Sequence, residues 1–206
     1  MTLTRNRITA TLAVAGIAIM GAFTQPAVHA QQCKERCPEV GQEICCPGQS
    51  KADLEALGIS ITIESTTEGC FLVTSCNDPS CPTTAWEADL DIQHFKGEGS
   101  DPNLGHFIWL NDPKRTSDPA TLRAYQKGEP FPALGTISFY AIAIFDKIQG
   151  EFRSEEQVRL INKEVHSFNP FKDELYVMDQ SKPVVFINDE TGDKFVLKEL
   201  TSLLTP

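Results

Sequence analysis

Three histidines follow residue 30 of the chain, and imidazole is the side chain with the widest choice of chemistry. His94, His106 and His166 could hold zinc or copper through their ring nitrogens if the fold brought them to one point. Asp89 or Asp91 could complete such a site with a carboxylate oxygen. No spacing places two of these histidines on one face of one element, which favours ordinary surface or core residues. A metal-dependent secreted enzyme is therefore an alternative hypothesis, and the main prediction is a chain without a cofactor.

Two acidic features could bind calcium. Residues 188–193 offer several oxygen ligands, but they lack the alternating acids and the twelfth-position glutamate of a calcium-binding EF-hand loop. Glu87, Asp89 and Asp91 form an acidic stripe at alternate positions of a predicted strand. A hairpin turn and a solvated strand face explain the two patterns better than calcium binding does.

The chain lacks the short motifs that mark common catalytic and cofactor sites. It contains no Gly-x-Ser-x-Gly nucleophile turn, no Gly-x-Gly-x-x-Gly and no phosphate-binding loop. Serine, histidine and aspartate are all present, as they are in most proteins, so their presence decides nothing about a catalytic triad. The absence of these motifs, together with the export signal and the cysteines, favours a non-enzymatic protein over an enzyme.

The cysteines are the densest chemical feature of the sequence. All seven fall in one short segment: Cys33, Cys37, Cys45, Cys46, Cys70, Cys76 and Cys81. In an exported chain this density predicts a disulfide framework, whose pairing cannot be deduced because six cysteines alone allow about 15 connectivities. Zinc binding and redox chemistry would favour Cys-x-x-Cys pairs, which are missing. The odd cysteine could remain a thiol or join two chains into a disulfide-linked dimer.

Residues 1–30 have the features of a secretory signal peptide. Arg5 and Arg7 precede an uncharged apolar run at residues 8–23, and Val28 and Ala30 place small side chains before the predicted cleavage. No later run is long and apolar enough to span a membrane as a helix. Removing the signal changes the net charge from −10 to −12, which argues against nucleic acid and anionic membranes as partners. The predicted location is secreted or periplasmic.

Alternating side chains predict a mainly β body at residues 83–206. Residues 135–148 are apolar on both faces, as expected of a central strand, and residues 86–95 alternate apolar with acidic side chains. Further strands are predicted at 105–111, 174–178, 183–187 and 194–200, with turns between them. Six or seven strands at this spacing predict an antiparallel β-sandwich.

Two other stretches of the body have patterns that do not indicate a simple strand. A capping aspartate at Asp118, followed by Pro119, predicts one short helix that ends at Gly128. Residues 154–168 fit either a helix or a strand with a bulge near Asn162, and the neighbouring strands favour the second.

The cysteine-rich segment, residues 31–82, is predicted to be a small N-terminal α+β module held together by its own disulfides. Ser50 could cap a helix at 51–57, with Gly58 as its stop. Residues 59–65 and 70–76 then predict a hairpin, with a turn at 66–69. The predicted join to the body lies near residues 79–84.

The predicted function is that of an exported, non-enzymatic interaction protein that contacts a protein or a glycan outside the cytoplasm. Its binding face could use the aromatic side chains Trp86, Phe107 and Trp109, although large aromatics more often fill a core. A further alternative is a protease inhibitor that presents residues 38–43 as a rigid loop.

Overall fold

The computed structural model describes residues 38–56, 58–77, 85–127, 129–167, 173–179 and 183–205. The predicted signal peptide, Cys33, Cys37, Cys81 and the predicted join at 79–84 lie outside these ranges. Within them, no helix has the length and apolar character needed to cross a membrane.

The described residues form an all-β structure of twelve strands without a helix. The strands are β1 Glu43–Ala56, β2 Ile59–Asn77, β3 Ala85–Asp101, β4 Gly105–Asn111, β5 Ala120–Lys127, β6 Glu129–Phe139, β7 Ala141–Phe145, β8 Ile148–Ser154, β9 Val158–Val165, β10 Glu174–Met178, β11 Val184–Asn188 and β12 Lys194–Leu204. Every pairing between them is antiparallel.

The twelve strands make one sheet that closes on itself. Four of them, β1, β2, β3 and β12, are uninterrupted, and the others join end to end in four pairs: β4 with β5, β6 with β7, β8 with β9, and β10 with β11. The chain therefore runs as an eight-stranded up-and-down meander. Because β12 pairs with β1, the last strand meets the first and the sheet has no free edge there.

The closed sheet has two unlike sides. We call β12, β1, β2 and β3 the continuous wall, and the paired short strands from β4 to β11 the interrupted wall. The breaks in the interrupted wall fall at 112–119, at Tyr140, at 155–157 and after Met178. Arg115 bridges three of these breaks, because it donates hydrogen bonds to the carbonyls of Ser154 and Glu155 and its guanidinium lies 3.4 Å from the centroid of the Tyr140 ring.

Alternation within each strand places the core inside the closed sheet. Exposed and buried residues alternate strictly from Glu43 to Ala52 in β1, and Ala52 and Leu54 point inward. Close packing of this interior needs glycine at Gly135, where a Cβ atom would lie 2.6 Å from the Tyr176 hydroxyl oxygen. All the buried apolar side chains of the described residues except Cys70 and Ile142 form a single cluster.

The expectation of a mainly β, antiparallel protein is confirmed, but the β-sandwich is wrong. A sandwich needs two sheets packed face to face, whereas here each wall hydrogen-bonds to the other at both sides. The contacts that close the sheet join β1 to β12, which are about 150 residues apart in the chain, as in the Ser50–Ser202 pair. Periodicity within a strand carries no information about such a distant partner.

Both predicted helices are strands in the structure. Residues 51–56 belong to β1 and residues 120–127 to β5. The capping signals at Ser50 and Asp118 are local preferences of a fraction of a kcal/mol to about 2 kcal/mol. They are overridden because β1 has a hydrogen-bonded neighbour on each side, β2 and β12.

The predicted hairpin at 59–76 is a single strand of 19 residues. Residues 66–69 stay extended because strands flank them on both sides: Thr66 pairs with Gln49 of β1 and with Glu98 of β3. For the same reason β3 continues to Asp101, six residues beyond the predicted strand at 86–95. Thus β1 and β2 of the cysteine-rich segment lie in the same sheet as the strands that follow them.

Several other predictions are confirmed. The bounds of β4 and β10 match the predicted strands at 105–111 and 174–178. Residues 158–165 form a strand, and its pairing with β6 skips a residue between Asn162 and Val165, which is the expected bulge. The predicted central strand is present but divided at Tyr140 into β6 and β7.

Candidate functional site

The hairpin turns that join β1 to β2, β3 to β4, β7 to β8 and β11 to β12 all lie at one end of the closed sheet. A cavity of about 190 Å³ opens among them, which we call the turn-end cavity. Its lining is almost wholly apolar: Leu54, Ala56, Ile61, Leu104, Phe145, Ile148, Phe152 and Phe195. Asp193 and Lys194, both exposed, are its only charged lining residues and lie at its rim. Such a lining suits an apolar molecule.

A layer of five aromatic side chains closes the inner end of the turn-end cavity. The aromatic layer consists of Trp109, Phe145, Phe152, Phe186 and Phe195. Phe186 and Phe195 are stacked with their centroids 4.6 Å apart, and Trp109 meets both of them edge-on at 5.7 and 6.2 Å. These are the favoured arrangements of aromatic pairs. The layer separates two cavities, because Phe195 also lines the turn-end cavity while Trp109 and Phe186 line a deeper one.

The deeper cavity, which we call the central cavity, lies in the middle of the closed sheet. All eight strands of the meander contribute to its lining, which is Ser50, Ala52, Ser65, Thr67, Phe95, Trp109, Phe139, Ala141, Val158, Phe186, Leu197 and Leu200. Its volume of about 20 Å³ is enough for one water molecule or a group of one or two heavy atoms.

An unsatisfied hydroxyl group is buried in the wall beside the central cavity. Thr67 is only 6 % exposed, and its Oγ1 is the one fully buried side-chain polar atom without a hydrogen-bond partner in the described part of the chain. The neighbouring Ser50 hydroxyl instead donates to Ser202 Oγ at 3.0 Å. A buried hydroxyl left without a partner costs about 1–3 kcal/mol. The Thr67 hydroxyl oxygen faces β1, because a Cβ atom at Gly48 would lie 3.0 Å from it.

The three histidines lie apart from these cavities and from one another. His94 is exposed on β3, and His166 is exposed just after β9. His106, at the start of β4, lies 3.1 Å from a carboxylate oxygen of Glu98. Within the described ranges, the group of three potential metal ligands is Glu43, Cys45 and Cys70. None of the histidines belongs to it.

The cysteines in the described residues lie in the strands β1 and β2, and two of them cross-link these strands. Cys45 and Cys70 are direct partners across β1 and β2 and form a disulfide, which removes both sulfurs as metal ligands. Cys76 is also disulfide-bonded, and Cys46 is buried at 2 % exposure. The disulfide framework expected for an exported chain is thus present at these positions.

The acidic features form ion pairs and turns. Asp89 of the acidic stripe lies 2.6 Å from the guanidinium of Arg123 and accepts a second hydrogen bond from Ser75. The hydrogen bond from Arg123 holds the pKa of the Asp89 carboxyl below its usual value. In the turn at 189–193, the side-chain oxygen of Asn188 accepts backbone N–H groups from Glu190 and Thr191.

Two of the three aromatic side chains considered for a binding face, Phe107 and Trp109, lie inside the closed sheet. Phe107 is 1 % exposed and Trp109 is 8 % exposed. The side chain of Trp86 lies outside the described part of the structure. Sequence reasoning missed Thr67 because it falls in a predicted turn. Its alternation with Ser65 on one face of β2 is the only signal that could have indicated it.

No family model matches the chain, and no curated protein matches it. The fold is similar to the solved structure of DynF from the dynemicin biosynthesis pathway of Micromonospora chersina. The two structures align over 82 % of each chain with a TM-score of 0.70 and 14 % sequence identity. At this identity the likeness establishes a shared fold and nothing about activity.

Proposed function

We propose that the protein is a non-catalytic binding protein that takes a small apolar molecule into the turn-end cavity. One observation carries the proposal: an apolar cavity of about 190 Å³ opens at the turn end of a closed sheet and leads to the aromatic layer. The predicted signal peptide would place this activity outside the cytoplasm. Binding in the interior replaces the earlier expectation of a surface contact with a protein or a glycan.

The choice of the interior over the outer surface follows from where the aromatic side chains lie. Phe107 and Trp109, which could have formed a recognition face, are buried in the core. The lining of the turn-end cavity also lacks a pairing of nucleophile and base, which favours binding over catalysis. The two charged residues at the rim can orient a ligand without having to be desolvated.

The expected affinity is weak. A ligand that buries roughly 200 Å² of apolar surface gains about 5 kcal/mol at the usual value per unit area. The loss of translational and rotational freedom opposes binding. Dissociation constants of about 0.1 mM or weaker are therefore expected for small apolar probes.

The test is a fluorescence titration with Nile red, an uncharged apolar dye, on the wild-type protein and on Ala56→Trp. Ala56 lines the cavity at the end of β1, so an indole at this position fills the space that the dye would occupy. We expect the substitution to weaken binding at least tenfold. The matched control is Val40→Trp, which adds the same bulk at a residue that is 66 % exposed, and it should bind as the wild type does.

Thermal unfolding of both variants checks that the fold is intact. Equal Nile red affinity in wild type and in a folded Ala56→Trp protein would show that the turn-end cavity is not the binding site. The proposal would then fail.

A further inference from the structure

The turn-end cavity has a carboxylate at its mouth, and the register of the last hairpin sets the direction of that side chain. Ile187 pairs with Lys194 at the end of the β11–β12 ladder. The backbone N–H of Asn188 then donates to the carbonyl of Asp193 at 2.8 Å, which continues the pairing by one residue. Since successive side chains of a strand alternate between its faces, Asp193 lies on the same face as the buried Phe195, toward the cavity that both residues line.

Lys194 is the other charged residue at the mouth, and the same alternation turns it the opposite way. It lies on the face of Ile187 and Val196, which are only partly buried, whereas Phe195 is 4 % exposed. The Lys194 side chain therefore starts from the outer face of the sheet. Asp193 is the charged lining residue that starts from the inner face.

The Asp193 carboxylate can accept a further hydrogen bond. Its Oδ2 accepts the hydroxyl of Thr191 at 2.7 Å. Within the described part of the chain, no hydrogen bond or ion pair involves its Oδ1. Because Asp193 is exposed, a charged ligand group that meets Oδ1 stays in contact with water and avoids the cost of burying a charge.

The surroundings of the mouth are acidic as well. The four turns at 57–58, 102–104, 146–147 and 189–193 contain four acids and one lysine: Asp146, Asp189, Glu190, Asp193 and Lys147. The whole chain carries a net charge of −10. A field of this sign attracts small cations and repels small anions.

The volume of the cavity sets the size of the apolar part of a ligand. A cavity of about 150 Å³ lined by leucine, isoleucine and phenylalanine holds a benzene molecule. The turn-end cavity, at about 190 Å³, therefore holds one six-membered ring and a short arm. Phe145, Phe152 and Phe195 line it and pack against one another edge-on or tilted, with centroids 5.2 to 5.8 Å apart. A further ring can pack against them in the same arrangements.

We infer that the ligand of the turn-end cavity is a small apolar cation, with one ring in the cavity and a short arm whose ammonium group donates to Asp193 Oδ1. The inference rests on the proposed function and deepens it by naming the class of ligand. Asp193 is then a specificity-determining residue, which selects a positively charged end over a neutral or a negative one.

The experiment is a titration followed by two-dimensional amide NMR at pH 7 and low salt, a method suited to weak binding. The probes are 2-phenylethylamine, 2-phenylethanol and 3-phenylpropanoate, which share a ring with a two-carbon arm and end in an ammonium, a hydroxyl or a carboxylate. The amide signals of Leu54, Ile61 and Ile148 report on binding in this cavity. The amine should bind about two- to fivefold more tightly than the alcohol, as expected of a solvent-exposed ion pair, and the carboxylate more weakly than the alcohol.

The variant is Asp193→Asn, which removes the charge and keeps an oxygen that accepts the Thr191 hydroxyl. Its affinity for the amine should fall about two- to fivefold, to that of the alcohol, while the affinity for the alcohol stays the same. The matched control is Glu190→Gln, which makes the same change of charge in the same turn at a residue that does not line the cavity. It should change the affinity for the amine by less than about 1.5-fold, because its charge is screened by water and salt.

Three results would overturn the inference. The first is an amine-to-alcohol ratio that is unchanged in Asp193→Asn, or that falls equally in Glu190→Gln. The second is tighter binding of the carboxylate than of the amine, which would assign the role to Lys194. The third is that none of the probes binds although Ala56→Trp weakens Nile red binding, which leaves the proposed function standing. If Ala56→Trp has no effect on Nile red, the proposed function itself fails.

Discussion

The two walls of the closed sheet differ in the side chains that they turn toward the central cavity. In the continuous wall, the two middle strands β1 and β2 contribute only small residues, Ser50, Ala52, Ser65 and Thr67, while the flanking strands β3 and β12 contribute Phe95, Leu197 and Leu200. The interrupted wall contributes mainly large ones: Trp109, Phe139, Ala141, Val158 and Phe186. A core is filled without gaps when small side chains face large ones. The hydroxyl groups among the small residues of β1 and β2 place polar atoms in this core.

The walls also differ in what holds them together. The continuous wall depends on long backbone ladders, and the Cys45–Cys70 disulfide joins two of its strands. The interrupted wall loses backbone pairing at its breaks, and side chains supply part of what the backbone lacks there. Arg115 reaches two backbone carbonyls, and Arg153 lies within 2.7 Å of carboxylate oxygens from Asp112 and Asp189. Where a ladder stops, charged side chains replace its hydrogen bonds.

Removing the disulfide should cause the largest loss of stability and should affect the continuous wall. Cys45 and Cys70 are 25 residues apart, so the bond restricts the unfolded chain by about 3 kcal/mol in the loop-entropy model. Replacing both cysteines with serine avoids new thiol pairings and should lower the free energy of unfolding by that amount. Urea unfolding measures the change, and a loss below 1 kcal/mol would mean that the ladder alone holds β1 to β2.

Arg115→Ala should cause the next largest loss and tests the interrupted wall. The substitution removes hydrogen bonds to the carbonyls of Ser154 and Glu155 and the contact with the Tyr140 ring. Together these contribute roughly 2–3 kcal/mol. Lys114→Ala, at the exposed neighbouring position, is the control and should change stability by less than about 0.5 kcal/mol. Equal effects of the two substitutions would refute a bridging role for Arg115.

Asp112→Asn should lower stability by about 2 kcal/mol at pH 7, because it weakens a charge-assisted hydrogen bond to Arg153 at a buried position. Burial alone would raise the pKa of Asp112, yet the backbone N–H of Lys114 and the Arg153 guanidinium hold it below its usual value. Because the pKa of Asp112 is lower in the folded protein than in the unfolded chain, its ionised carboxylate stabilises the fold. This stabilisation is complete above the usual pKa of 3.8 and is lost as the pH falls through the lower, folded-state pKa. The difference between wild type and variant should therefore shrink below about pH 4.

The corresponding substitution in the continuous wall sharpens this comparison. Asp89 pairs with Arg123, but both side chains are about one third exposed. Asp89→Asn should therefore cost less than about 1 kcal/mol at pH 7, although the pKa of this carboxyl is lowered in the same direction. Urea unfolding at pH 7 and at pH 3 for both variants measures the two effects. A larger loss in Asp89→Asn than in Asp112→Asn would contradict the view that side chains matter most in the interrupted wall.

Short strands bounded by strong turns were predictable from the sequence. Residues 105–111 and 174–178 were predicted with their observed bounds, because each is a short alternating run next to residues that favour turns. The bulge near Asn162 was also visible, since the alternation changes phase there. These features depend on interactions over a few residues, which the sequence displays directly.

Long strands and the candidate site were not predictable in the same way. The turn signals at residues 66–69 were strong, yet β2 runs straight through them because β1 and β3 pair with it on both sides. The helix signal at 51–57 failed for the same reason. That Thr67 lines the central cavity became evident only when its strand was found to be continuous.

The sequence by itself determined the antiparallel, mainly β character, most of the turns and a disulfide-bearing segment, since side-chain alternation and turn residues act locally. The tertiary structure alone decided that β12 would pair with β1, and so that one sheet would close around a core. It also decided which small side chains face which aromatic ones, and so where the cavities lie. The physical reason is that closure pairs residues about 150 positions apart, and no local pattern specifies a partner at that distance.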